Sequence, residues 1–336
     1  MKAQAAPAGY KAVARLYNAL MTGLVLTLVT QKDAEAARCF VFAHFRRQHL
    51  EKFLPGLKKL GLDTLPHAVA CAQYHYFSNA LGGVKTEYMP QSDRKAWVRY
   101  PPPRWIWQGA AICGVPRAVN EAMLHGWHGH NGVSLGNPRL GFVCTGQTVN
   151  GDPGLEGYYY EYDHDLAPDK RVRFASGEHA PRFDPARAPK LDSADWPAER
   201  LAKVERSYAM EYVRSLLPSM HELFGADEAG ALVGRAARLI GLQYYDEIAA
   251  LLGVHGNGTE DFARLLGALA AAQGEDVEVE GAAVTQRGWR LMADVSEADA
   301  MFGAWNALWE GALAVHNRGL KLVTERQDGA IIWRVG

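Results

Sequence analysis

Cysteine is scarce in this chain of 336 residues. There are four, Cys39, Cys71, Cys113 and Cys144, and no two stand as a CxxC pair. That excludes a disulfide framework, a zinc ribbon and a thioredoxin-like dithiol, and the thiols are expected to be free in a reducing, cytoplasmic setting. Neither sign of charge dominates. Lys+Arg is 36 against Asp+Glu 37, a net charge of -1. The basic domain of a nucleic-acid protein and the polybasic face of a membrane-surface protein are both missing. So are the signatures of nucleotide and hydrolase chemistry: there is no P-loop, no GxGxxG after a strand, no GxSxG elbow and no HExxH. The most apolar N-terminal stretch, Leu16 to Val29, is diluted by Asn18, Thr22, Gly23 and Thr27. It reads as a buried first element, too short for a membrane span.

What is present fits a globular protein of about two domains. Two stretches of the chain resemble each other. Phe53-Leu54-Pro55-Gly56-Leu57 and Leu216-Leu217-Pro218-Ser219-Met220 each lie in a helical stretch. A second helical stretch follows each, ending near Leu81-Gly82-Gly83 and Leu252-Gly253. Strand pairs come next, Val84–Met89 with Lys95–Tyr100, and Val277–Glu280 with Gly288–Met292. A helix then runs from Arg117 to about Asn131, and from Ser296 to about His316, carrying Trp127 and Trp309. Each unit closes with two strands around a Gly/Asp turn. The expected fold is α+β, a tandem duplication of a helix-helix-strand-strand-helix-strand-strand unit with antiparallel sheets covered by helices. Residues 1–165 would form the first unit with the active site. Residues 166–204 would be a linker, and 205–336 a second, degenerate unit.

The duplication makes one half a reference for the other, since polar residues in only one copy are candidates for function. Aligning the tryptophans sets Glu121, His125 and His128 against Gly303, Ala307 and Glu310. The spacing i, i+4, i+7 puts the first three on one helix face. One carboxylate with two imidazoles could tune a catalytic histidine. Alternatively His125 and His128 could ligate a divalent metal such as zinc, with Glu156, Glu161 or His164 completing the site. Cys113 precedes the same helix, where a thiolate is favoured, and could act as nucleophile or ligand. In the run Glu156–Asp163 strand alternation turns Glu156, Tyr158 and Tyr160 one way. Candidate substrate contacts are therefore Tyr158, Tyr160, His130, Asn131 and Trp105, the last in an aromatic, proline-rich segment.

At three of these landmarks the chain resembles the L-2-amino-thiazoline-4-carboxylic acid hydrolase family. They are the Cys113 segment, the His/Trp helix leading into Leu135-Gly136-Asn137-Pro138-Arg139-Leu140, and the turn Val149-Asn150-Gly151-Asp152 before the Glu156–Asp163 strand. The likeness spans about residues 70–165 and extends more weakly over 205–336. It implies a hydrolase that opens a C–N or C–S bond of a small heterocyclic or amide-like substrate. A water or Cys113 would attack, His125 or His128 would move protons, and Glu121 or Glu156 would orient the histidine. The alternative is a small-molecule-binding or sensory protein without catalysis, resembling 4-vinyl reductase-type ligand domains. Convergence of Cys113, His128 and Glu156 on one cavity separates the two. The expected partner is a small molecule, with no nucleic acid and no membrane; a homo-oligomer is compatible.

Overall fold

The computed structural model describes residues 6–102, 109–191 and 196–336. They divide into two units, each with its own helices and sheet. One is Leu28–Pro197; the other is Ala198–Gly336 together with the chain up to Thr27. The first helix, α1 (Pro7–Gln31), supplies that N-terminal contribution.

In the unit Leu28–Pro197, α2 (Ala34–Lys59) and α3 (His67–Leu81) come first. Asp33 starts α2 by accepting the Ala36 N–H at 2.7 Å, with Glu35 in the first turn against the helix dipole. Strands β1 (Glu87–Ser92) and β2 (Lys95–Tyr100) follow, then α4 (Arg117–Gly126) and the single turn α5 (Asn131–Ser134). Strands β3 (Leu140–Gly146), β4 (Leu155–Glu161) and β5 (Val172–Phe174) complete it. The order is β1-β2-β4-β3-β5, antiparallel except for the parallel β3–β5 pair. Alternation sends Tyr88, Val98, Phe142 and Tyr159 inward, and all are buried.

In the other unit, α6 (Ala198–Leu252) bends at Gly225, whose φ of 74° only glycine adopts readily. Next come α7 (Thr259–Ala272), β6 (Asp276–Glu280), β7 (Ala283–Arg287), α8 (Ala298–His316), β8 (Leu322–Gln327) and β9 (Ala330–Val335). The order β6-β7-β9-β8 repeats that of β1-β2-β4-β3. Helix contacts also repeat. A Cβ on Gly126 of α4 would stand 2.8 Å from the Phe42 carbonyl of α2, and one on Gly311 of α8 would stand 2.1 Å from the Arg238 carbonyl of α6.

The architecture is therefore α+β with antiparallel sheets, and it differs from the expected unit boundaries in four ways. First, α1 joins the C-terminal half instead of the N-terminal one. Tyr17 explains this: its hydroxyl donates to Gln273 at 2.6 Å and accepts the Trp305 indole N–H at 3.1 Å, while Arg15 pairs with Glu247 at 2.8 Å. The N-terminal run also forms a helix of 25 residues, long and apolar enough by length and composition to cross a membrane, although 67% of its most apolar window is buried. Second, the expected linker is part of the first unit, because β5 pairs with β3 and Ala175, Ala180 and Phe183 pack on the sheet. Third, two helical stretches, the part of α6 beyond Gly225 and then α7, separate Pro218 from its strands, whereas α3 alone separates Pro55 from β1, so Pro55 and Pro218 are not equivalent. Fourth, the strands expected at Val84–Met89 and Gly288–Met292 are Glu87–Ser92 and Ala283–Arg287.

Candidate functional site

The helix expected from Arg117 to Asn131 stops at Gly126. Arg46 of α2 reaches its last carbonyls, donating from Nε to Gly126 O at 2.8 Å and from Nη2 to His125 O at 3.0 Å. A cation on the C-terminal carbonyls is a favourable helix stop. The chain then makes a 3-10 turn, His128–His130, before α5. Glu121, His125 and His128 consequently do not share a helix face. Glu121 is occupied by Arg117 at 2.6 Å and by the Gln147 amide at 3.3 Å. His125 is half-buried, its ring 6.2 Å from that of Phe174, and burial lowers its pKa more than Glu121 raises it.

His128 turns into the core. Its ring stacks on His75 of α3 at 4.2 Å between centroids and 8° between planes, and its Nδ1 shares a hydrogen with the Tyr159 hydroxyl at 2.7 Å. Asn131 Nδ2 in turn donates to the Tyr159 oxygen at 3.0 Å. His49 lies 5.2 Å from His130 in a near-perpendicular ring contact and shares a hydrogen with Ser134 Oγ at 2.9 Å. Burial pushes His44, His49 and His75 down to about 3 and His130 to about 4. Cys71, one turn before His75, is pushed up to about 12 by burial. The rings of His44, His49, His75 and His128 are buried and fill the core as polar aromatics, while His130 is only partly buried.

The remaining candidates lie apart from His128. Cys113 is exposed in a 3-10 segment, Gly109–Gly114, ahead of α4. Glu156 is on the opposite face of β4 from Tyr159. It pairs there with Arg99 at 3.2 Å and accepts from Thr145 Oγ1 at 3.2 Å and from the Ala180 N–H at 2.9 Å. Tyr158 and Tyr160 share that outer face. His164 pairs with Asp163 on the surface. Trp105 lies outside the described residues. Among the described residues, no three His, Cys, Asp or Glu side chains are placed to hold a metal ion. None of the four cysteines forms a disulfide.

An open cleft of about 550 Å³ lies where the loop before α3 meets the turn before β3, with His67, Asn137, Arg139 and Glu161 among its lining. Asn137 organises it. Its amide nitrogen is 3.0 Å from His67 Nδ1 and donates to Glu161 Oε2 at 3.0 Å, and its oxygen accepts the Arg139 N–H at 3.1 Å. Those partners fix the amide orientation and make His67 Nδ1 an acceptor, so the proton of the neutral ring sits on Nε2. Arg139 Nη2 pairs with Glu161 Oε1 at 2.9 Å, leaving its other N–H groups for a bound molecule. The first N–H groups of α3, which begins at His67 with no side-chain cap, also lack helical acceptors. The turn Asn137-Pro138-Arg139 and the Pro66-His67 helix start were visible signals for this cleft. His49 and His75 carried none, being ordinary core positions of α2 and α3.

No protein family, curated protein or solved structure matches this chain.

Proposed function

We propose that the chain is a small-molecule-binding protein, and that the cleft at His67, Asn137 and Arg139 takes a small, acceptor-rich anion such as a carboxylate. One observation carries the reading: Asn137 is held by three partners that present His67 and Arg139 on an open cleft. A preorganised donor set loses little ordering entropy on binding, and a guanidinium suits a carboxylate. The dispersal of Cys113, His128 and Glu156 favours binding over catalysis by those groups. Calorimetric titration with small mono- and dicarboxylates tests it. Arg139→Ala and Asn137→Ala should each weaken binding by at least ~10-fold, about 1.4 kcal/mol. If the intact protein binds no carboxylate, or both variants bind normally, the reading fails.

The hydrolytic reading has one observation for it. An imidazole, His67, and a carboxylate, Glu161, line one open cleft, and hydrolysis would require Asn137 to release His67 Nδ1 so that this nitrogen can take a proton from water. It predicts ring opening of a small cyclic amidine, followed chromatographically, with turnover lowered ~10²-fold in His67→Ala. Absence of turnover in the intact protein removes it.

A further inference from the structure

The two sheets share a strand order but not an outer face. On β6–β9 that face carries Asp276, Glu278, Arg287, Glu325 and Arg334, paired as Arg287–Glu278 at 2.9 Å and Arg334–Glu325 at 2.5 Å. Each of these side chains is roughly half exposed. On β1–β4 the same face is aromatic. Met89, Trp97, Val143 and Tyr158 form a buried cluster, and Ala175, Ala180 and Phe183 pack over it. The strand order alone does not demand such a floor, because the other sheet does without one.

Two contacts show what the floor accepts. The Lys95 ammonium stands 3.9 Å from the ring centre of Tyr158 and 4.8 Å from that of Trp97, a cation–π arrangement. The Ala180 N–H donates to Glu156. Glu87 and Glu156 lie beside a single arginine. Arg99 serves both Glu87 at 2.6 Å and Glu156 at 3.2 Å, so two carboxylates share one guanidinium. The covering chain leaves the sheet after the Ala175 N–H donates to the Cys144 carbonyl at 2.9 Å. Its reach from Ser176 to His179 is exposed and turns at Gly177, φ +104°. Glu178 accepts the Tyr158 hydroxyl at 3.2 Å and lies 3.8 Å from Lys95, with 47% of its side chain exposed.

We propose that residues 175–183 are a displaceable cover over a second ligand site, and that the site takes an amine cation carried on an apolar or aromatic body. The ligand's ammonium replaces the Ala180 N–H on Glu156 and gives that carboxylate, which shares Arg99 with Glu87, a cation of its own. Its body replaces Phe183 and Ala180 against Trp97 and Tyr158.

The test is calorimetry on the full chain with 2-phenylethylammonium, and with 3-phenylpropionate as the control of opposite charge. Opening the cover with Glu178→Ala and Phe183→Ala should tighten ammonium binding by at least ~10-fold. Amide exchange should quicken in 175–183 while β2 and β4 keep their protection. Adding Glu156→Gln should cancel the gain, and the propionate should gain nothing. The proposal is overturned if the opened variant, with its sheet intact, gains no ammonium affinity. It is equally overturned if the gain survives Glu156→Gln or extends to the propionate. Should the double variant lose sheet protection, Glu178→Ala alone is held to the same outcomes.

Discussion

Three imidazoles in the core of one unit, those of His44, His49 and His75, have pKa values pushed from 6.5 to about 3 by burial. A base whose folded pKa lies below its unfolded value binds fewer protons when native. The stability it contributes is present above about pH 6.5 and is lost as pH falls through that value toward 3. Between about pH 7 and 5.5, three such groups together remove roughly 4 kcal/mol, a large part of the ~5–15 kcal/mol that holds a domain. Denaturant melts across this range should show the unit Leu28–Pro197 failing on mild acidification. His75→Phe should flatten the dependence by roughly a third. A flat profile would mean these rings are hydrated in solution.

At the scale of elements, two helix crossings depend on glycine. Gly126 and Gly311 each place their Cα against a carbonyl of the neighbouring helix, and backbone cannot yield as a side-chain tip can. Gly126→Ala and Gly311→Ala should each cost about 1–3 kcal/mol in chemical denaturation. Gly303, also in α8 but with nothing near its absent Cβ, should gain up to ~1 kcal/mol on becoming alanine. Equal effects at all three positions would contradict the packing. The end of α4 shows why the site was harder to read than the fold. Period-2 alternation in β2, β4 and β9 and the helical period of α8 are local, so they are legible along the chain. The halt at Gly126 is reinforced by Arg46, some eighty positions earlier; the local signals, Gly126 and Gly129, are ones that a longer helix can also tolerate at about 1 kcal/mol each. One further turn of helix would set His128 on the face of Glu121 and His125, whereas the 3-10 turn sends it into the core. Asn137, by contrast, stood in a legible turn. Its link to His67, 70 positions away, was not legible.

For the molecule as a whole, α1 belongs with sequence that begins at Ala198. Tyr17 is the fixed point of that attachment, fully enclosed and hydrogen-bonded to both Gln273 and Trp305. Tyr17→Ala should cost about 3–5 kcal/mol. Hydrogen exchange should locate the loss in β6–β9, leaving β1–β4 protected. Exchange rising first in β1–β4 would assign the helix to the wrong unit.

That discontinuity has a consequence during synthesis. The ribosome releases α1 long before the helices and strands it packs against exist, and the intervening stretch Leu28–Pro197 can complete its own sheet first. At about 5–20 residues per second, the remaining chain takes roughly 15–60 s to emerge. For that interval an apolar helix of 25 residues has no partner of its own, and whatever in the cell greets nascent apolar segments meets it first.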